Sequence, residues 1–181
     1  KSTLLNSLVG EKVSIVSRKA QTTQRNTTGV ITKDNSQLIF FDTPGLNKIE
    51  KNIRISETFK TVAENVDVLI YMVDNTKKSQ SIDDQFRNWL NNNENKFKKK
   101  ILIINKIDCI EKVNLFEITR KINGVINFDE TFFISLSKKS GMERFLNWVE
   151  KQAYSNEWLF QQTYKSNISK KNFLSELTRE K

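Results

Sequence analysis

Three apolar runs set at intervals among amphipathic segments limit what this chain can fold into. Val68-Leu69-Ile70-Tyr71-Met72-Val73, Ile101-Leu102-Ile103-Ile104 and Phe132-Phe133-Ile134 show no polar–apolar alternation. A strand of that kind has both faces covered. Phe86, Trp89 and Leu90 follow the first run in a helix expected to begin near Ser81. Leu115, Ile118 and Ile122 follow the second, and a helix from Met142 to Ala153 follows the third. This spacing is helical. Strand and helix in strict alternation specify an α/β domain, a mostly parallel sheet with helices on both faces.

The first sixty residues read differently. Leu4, Leu5 and Leu8 predict a short helix that Gly10 stops. From Glu11 to Thr28 the chain is polar and lacks periodicity, which predicts a long surface loop of the kind that often carries function. Val30 to Lys33 and Gln37 to Phe41 flank Asp34-Asn35-Ser36 as a β-hairpin. A helix is expected from Ile53 to Asn65, with Phe59, Val62 and Val66 on one face.

Composition narrows the chemistry. The 181 residues contain no histidine and one cysteine, Cys109. An internal disulfide is excluded, and so is the usual general base. Hydrolysis by such a chain has to work by positioning and electrostatics. No run approaches the ~18 apolar residues of a membrane span, and the start is not a signal peptide. A cytoplasmic location is the expectation. The net charge of +9 favours a polyanionic partner, RNA or an anionic membrane surface. The alternative is compositional drift, of which Asn91-Asn92-Asn93 and Lys98-Lys99-Lys100 look like examples in a solvated turn.

Four short motifs carry the candidate chemistry, and they occur in a telling order. Lys1-Ser2 opens the first helix, as at the end of a phosphate-binding loop, where the lysine reaches phosphates and the hydroxyl ligates Mg²⁺. Asp42-Thr43-Pro44-Gly45 follows the strand ending in Phe41. Ligands gather at the carboxyl ends of strands in α/β sheets. Asp42 is placed to hold the magnesium shell, and Gly45 to bring its backbone N–H to a γ-phosphate. Asn105-Lys106-Ile107-Asp108 follows Ile104. A carboxylate there accepts two hydrogen bonds from guanine, and adenine would leave it unpaired. Ser135-Leu136 ends the last strand, with backbone N–H groups for the base carbonyl. Thr22 and Thr23 lie in the polar loop; either hydroxyl suits Mg²⁺ when a γ-phosphate is present, and Thr23 is preferred.

Taken together, Lys1-Ser2, Thr22-Thr23, Asp42-Thr43-Pro44-Gly45, Asn105-Lys106-Ile107-Asp108 and Ser135-Leu136 resemble translation-factor-class GTPases, and within them the Era-type GTPases of the TrmE-Era-EngA-septin-like superfamily. Lys12 to Thr23, Thr28-Gly29-Val30-Ile31 and Leu46 after Gly45 add to the likeness. Gln24 and Leu136 depart from the family's usual arginine and alanine. The resemblance implies a Ras-like P-loop GTPase domain over residues 1–154, a linker over 155–168, and the first helix of an RNA-binding KH domain over 169–181. It implies truncation at both ends, with the first strand and glycine turn missing before Lys1. The implied nucleotide-binding set is Lys1, Ser2, Thr3, Thr22, Thr23, Asp42, Thr43, Pro44, Gly45, Leu46, Asn105, Lys106, Asp108, Ser135 and Leu136. Ser2, Thr23 and Asp42 are the implied Mg²⁺ ligands.

The family further implies GTP and GDP as ligands, slow hydrolysis, and a role with 16S rRNA in small ribosomal subunit assembly, as a monomer with peripheral inner-membrane association. Leu46 stands where Ras-type enzymes carry a catalytic glutamine, so no catalytic residue is assigned. A tRNA-modifying or tandem GTPase of the same superfamily is the rival within enzymes. A nucleotide-independent RNA-binding scaffold is the rival outside them.

Overall fold

The computed structural model describes residues 1–14, 27–43, 47–49, 52–54, 57–74, 76, 82, 84–93 and 96–167. The chain divides into two units, one of 1–45 with 146–181, the other of 46–145.

In the first unit, α1 (Ser2–Val9) is followed by a hairpin of β1 (Thr27–Lys33) and β2 (Ser36–Asp42). Gly10 ends α1 with φ 76°, a left-handed cap whose N–H bonds to the Asn6 carbonyl. The hairpin register pairs Thr27 with Asp42 and Lys33 with Ser36. Its two-residue turn begins at Asp34, which has φ 50° and is a residue type that tolerates that conformation. Leu5, Val9 and Val13 form a small core, with Ile31 and Phe40 against it. The helix crosses β1 at Gly29. A Cβ there would lie 2.4 Å from Leu5 Cδ1 and 2.9 Å from Val9 Cγ2.

Part of the stretch expected to be a surface loop is neither surface nor loop. Val13 and Ser14 are buried, Ser14 at 1% exposure, and Thr27 and Thr28 already belong to β1. Composition misleads here because a polar residue can be buried when its hydrogen bonds are met inside. After α5, the segment 160–167 lies along the outer edge of β1. Val30 N–H donates to the Lys165 carbonyl at 2.8 Å, and Thr28 N–H donates to Asn167 Oδ1 at 2.9 Å. Gln37 exchanges two hydrogen bonds with the Phe160 backbone.

The second unit begins with a small hairpin, β3 (Asn47–Ile49) and β4 (Asn52–Arg54). The helix expected from Ile53 starts later, as α2 (Glu57–Ala63). Backbone pairing with β3 claims Asn52–Arg54, and side-chain periodicity carries no record of a strand partner. Then come β5 (Val68–Asp74), α3 (Asp84–Asn92), β6 (Lys99–Asn105), α4 (Lys112–Asn123), β7 (Glu130–Ile134) and α5 (Met142–Glu150), which runs across the division between the units. The strands are parallel in the order β5-β6-β7. Ile101 to Ile104 are fully buried, as an unbroken apolar run requires.

Leu102, Ile104, Phe86, Leu90, Ile118 and Ile122 belong to one core, with Phe59 and Val66 packed on it. The lysine run is structural after all. Lys99 and Lys100 open β6, and Lys98 and Lys99 pair with Asp67 at 2.6 Å and Asp129 at 3.2 Å. No helix among the described residues is long and apolar enough to cross a membrane.

Candidate nucleotide-binding site

The predicted site residues form two clusters, one in each unit. Each is built at strand ends.

The first cluster surrounds Asp42, the last residue of β2, buried at 5% exposure. Its Oδ2 accepts from Ser2 Oγ at 2.5 Å and from Ser14 Oγ at 3.1 Å. Its Oδ1 is buried and has no hydrogen-bond partner among the described residues. Lys1 Nζ donates to the Thr43 carbonyl, so the ammonium stands beside the Asp42 carboxylate. Thr3 lies in the first turn of α1. Ser14 reaches Asp42 because Asn6 pins its backbone: Asn6 Oδ1 accepts from Val13 N–H at 2.9 Å and Ser14 N–H at 2.7 Å, and Nδ2 donates to the Ser14 carbonyl at 2.6 Å. Sequence reasoning missed both Asn6 and Ser14 as parts of this cluster. An asparagine on the buried side of an otherwise leucine-rich helix was the available signal.

An orphaned carboxylate oxygen is costly in a buried site, and a cation would satisfy it. The donor set is all oxygen, from one carboxylate and hydroxyls, which suits a hard divalent ion such as Mg²⁺. The residues present therefore fit that ion.

The second cluster forms where β5, β6 and β7 end. The register aligns Asp74 with Asn105, and Asn105 with Ile134, so Asp74, Asn105 and Ser135 emerge at one end of the sheet. Asp108 sits in the turn Ile107–Cys109. Its Oδ1 accepts from Ser135 Oγ at 2.5 Å and its Oδ2 from Ser137 Oγ at 3.2 Å. The Ser135 hydrogen bond, more than the others, holds the Asp108 carboxyl below its ordinary range. Ser135 is fully buried, and its loop is closed by reciprocal backbone bonds with Ser140, each 3.0 Å. Leu136 N–H points to Asn105 Oδ1 at 3.4 Å.

Lys106 has φ 64°, and its Nζ lies 2.9 Å from Asp74 Oδ2. Asp74 and Ser137 are further residues that sequence reasoning did not single out. The signal for Asp74 was present: a carboxylate at the carboxyl end of an apolar parallel strand. Cys109 is exposed, and desolvation followed by the charge of Asp108 pushes its thiol up. That disfavours the thiolate.

Thr22, Thr23, Pro44, Gly45 and Leu46, and the helix expected at 169–181, lie outside the described residues.

Comparison with known proteins gives the chain's family and fold. Residues 1–106 match the family model described as 50S ribosome-binding GTPase. The GTPase Era of Sinorhizobium medicae (strain WSM419) is 31% identical over 185 aligned residues, and the match covers 100% of this chain and 58% of the relative. That of Agrobacterium fabrum is 32% identical, with 100% and 57% covered. Among solved structures, Era in complex with MgGDPNP and nucleotides 1506-1542 of 16S ribosomal RNA superposes with a TM-score of 0.80 at 30% identity, covering 99% of this chain and 61% of that one. An Aquifex aeolicus Era variant bound to GDP and AlF4⁻ gives 0.79 at 28% identity, with the same coverage. The chain thus spans about three fifths of the length of the relatives it matches. The fold is Ras-like, the resemblance to Era-type GTPases extends over the whole chain, and the chain belongs to the GTPase family whose model it matches.

Proposed function

We propose that this protein binds GTP and GDP with Mg²⁺ and hydrolyses GTP slowly, in the service of small ribosomal subunit assembly. The observation that carries the nucleotide assignment is Asp108. Its carboxylate stays ionised, and two serine hydroxyls fix it in place. Guanine offers two N–H donors to such a group. Adenine offers none on that edge, and selectivity of this kind is steep.

On the phosphate side, Lys1 supplies a cation for the β- and γ-phosphates. Ser2 and Asp42, with Thr23, would hold Mg²⁺. When bound, that ion neutralises charge developing on the phosphate oxygens. Asp42 Oδ2 accepts a 2.5 Å hydrogen bond from Ser2 Oγ, which turns the hydroxyl lone pairs outward. Thr43 to Gly45 would contact the γ-phosphate through their backbone. With leucine at 46 there is no side chain to orient the attacking water, and turnover is slow without help from switch backbone, a cation or a ribosomal partner.

Residues 1–154 are proposed as the GTPase domain, 155–168 as a linker and 169–181 as the start of a KH domain. The family description names the large subunit. The 16S rRNA in the related Era complex favours the small one, and we follow it because that likeness covers the whole chain. A net charge of +9 supports an RNA partner.

Titration calorimetry on the full-length protein tests this reading. GTP and GDP should bind in Mg²⁺ with ATP at least about a hundredfold weaker. Equal binding of ATP and GTP would overturn it.

A further inference from the structure

Asp74 touches neither phosphate nor base edge in the scheme above, yet both of its carboxylate oxygens are engaged. Its Oδ1 accepts from Thr76 N–H at 3.0 Å and Thr76 Oγ1 at 2.7 Å. Its Oδ2 holds the Lys106 ammonium at 2.9 Å. One carboxylate therefore does two separable jobs: one oxygen shapes the turn after β5, and the other anchors a lysine from the end of β6.

The lysine is unusual at its other end as well. Lys106 has φ 64°, the left-handed region that side chains with a Cβ seldom adopt. Its Cα is fixed by that turn, directly after Asn105 and two residues before Asp108. Its Nζ is held by Asp74 at 2.9 Å, with Thr76 Oγ1 a longer second acceptor at 3.5 Å. With both ends held, the four-carbon stem between them has little freedom left.

We propose that Asp74 is a positioning residue for the purine: by anchoring the Lys106 ammonium it holds the lysine stem in place as an apolar platform for the face of the base. This rests on the nucleotide-binding reading given above. Guanine choice then belongs to Asp108, and retention of the stacked ring belongs in part to Asp74. Partial burial alone would raise the Asp74 carboxyl, but hydrogen bonds from Lys106 and Thr76 outweigh it and bring it below the usual carboxylate range. The same partner raises Lys106. The pair is charged throughout the neutral range.

Asp74→Asn separates the two jobs. The amide oxygen can still accept from Thr76, while the charge facing Lys106 is gone. Dissociation of GDP and of GTP from the full-length protein, followed by fluorescent nucleotide release, should accelerate about three- to fivefold, the scale of a half-exposed ion pair. The GTP-to-ATP preference should not change, since Asp108 is untouched. In a Lys106→Met background the same substitution should have no further effect. The melting temperature of the nucleotide-free protein should stay within about 2 °C.

Release at the parent rate in Asp74→Asn would overturn the proposal, as would an equal acceleration in the Lys106→Met background. A loss of guanine preference would overturn it too. Absence of guanine-nucleotide binding in the parent protein would instead refute the nucleotide-binding reading itself, before any variant was compared.

Discussion

Asp42 ends β2 and Asp108 lies in the turn after β6; both accept hydroxyl hydrogen bonds of 2.5 Å, yet they are finished differently. Asp108 is exposed, and each of its oxygens has a serine donor. Asp42 is buried, and both of its donors converge on Oδ2, leaving Oδ1 without one. The base cluster is complete within the chain. The phosphate cluster has a position that only a cation fills well. In the proposed function the completed carboxylate suits recognition, because its geometry exists before the ligand arrives. The incomplete, buried one suits ion binding, because the ligand would relieve a cost already present in the fold.

The sharpest way to break this contrast is at Asp108. Asp108→Asn should weaken GTP and GDP binding at least about tenfold by leaving the guanine donors without their acceptor. Xanthosine triphosphate should gain affinity, because its ring carbonyl suits an amide donor. Calorimetry with the three nucleotides reads both changes, and retention of parent GTP affinity would remove Asp108 from the base site.

Asp42→Asn should act on the other term alone. Mg²⁺ should no longer tighten nucleotide binding, a loss of about 1–3 kcal/mol of ion-dependent affinity. The guanine preference should persist. In the absence of Mg²⁺ the variant should melt no lower than the parent, since the amide that replaces the buried carboxylate carries no charge. A Mg²⁺ titration of GDP release, with a thermal melt alongside, would show whether the two effects part in this way.

Gly29→Ala tests whether the phosphate cluster depends on how closely α1 lies on β1. The new methyl would meet Leu5 Cδ1, and Leu5 is buried. Overpacking of this kind costs about 1–2 kcal/mol. Differential scanning calorimetry should show the loss. Nucleotide affinity should fall with GTP-to-ATP preference intact, because the second cluster does not rest on this contact.

The smallest expected effect is a pH shift. Asp108 and Asp74 are held below the ordinary carboxylate range, so what their ionised forms contribute is present above their unfolded pKa and is lost as pH falls through the lower folded one. Guanine-nucleotide binding should therefore be flat from neutral pH down to about pH 5. Ser135→Ala removes the largest cause of the Asp108 shift and should move the acid limb upward. A binding profile for that variant superposing on the parent would show that Ser135 does not govern the titration.

Much of the base cluster is legible in the amino-acid sequence. Val68 to Val73, Ile101 to Ile104 and Phe132 to Ile134 are apolar throughout because both faces are covered, and such strands announce a parallel sheet. Once the sheet is parallel, the residues just beyond each run must gather at one end, and Asn105, Asp108 and Ser135 do so. The same logic reaches Asp74, the carboxylate that ends the first run, although it belongs to no short motif.

The phosphate cluster is legible only as a set of names. Lys1, Ser2 and Asp42 can be read from sequence, but the sequence holds no sign that Ser14, in a polar stretch, is buried against Asp42. That contact exists because Asn6, one turn into α1, binds the backbone on both sides of it. Likewise β4, paired with β3, takes the first residues of an expected helix.

The sequence by itself determined the parallel sheet, the order of the motifs and the carboxylate proposed to read the base, because strand burial and motif spacing are local properties of the chain. Only the tertiary structure decided which carboxylate oxygens are satisfied. Hydrogen bonds such as Ser14 to Asp42 and Lys106 to Asp74 join residues 28 and 32 positions apart, and no local pattern records a partner that distant.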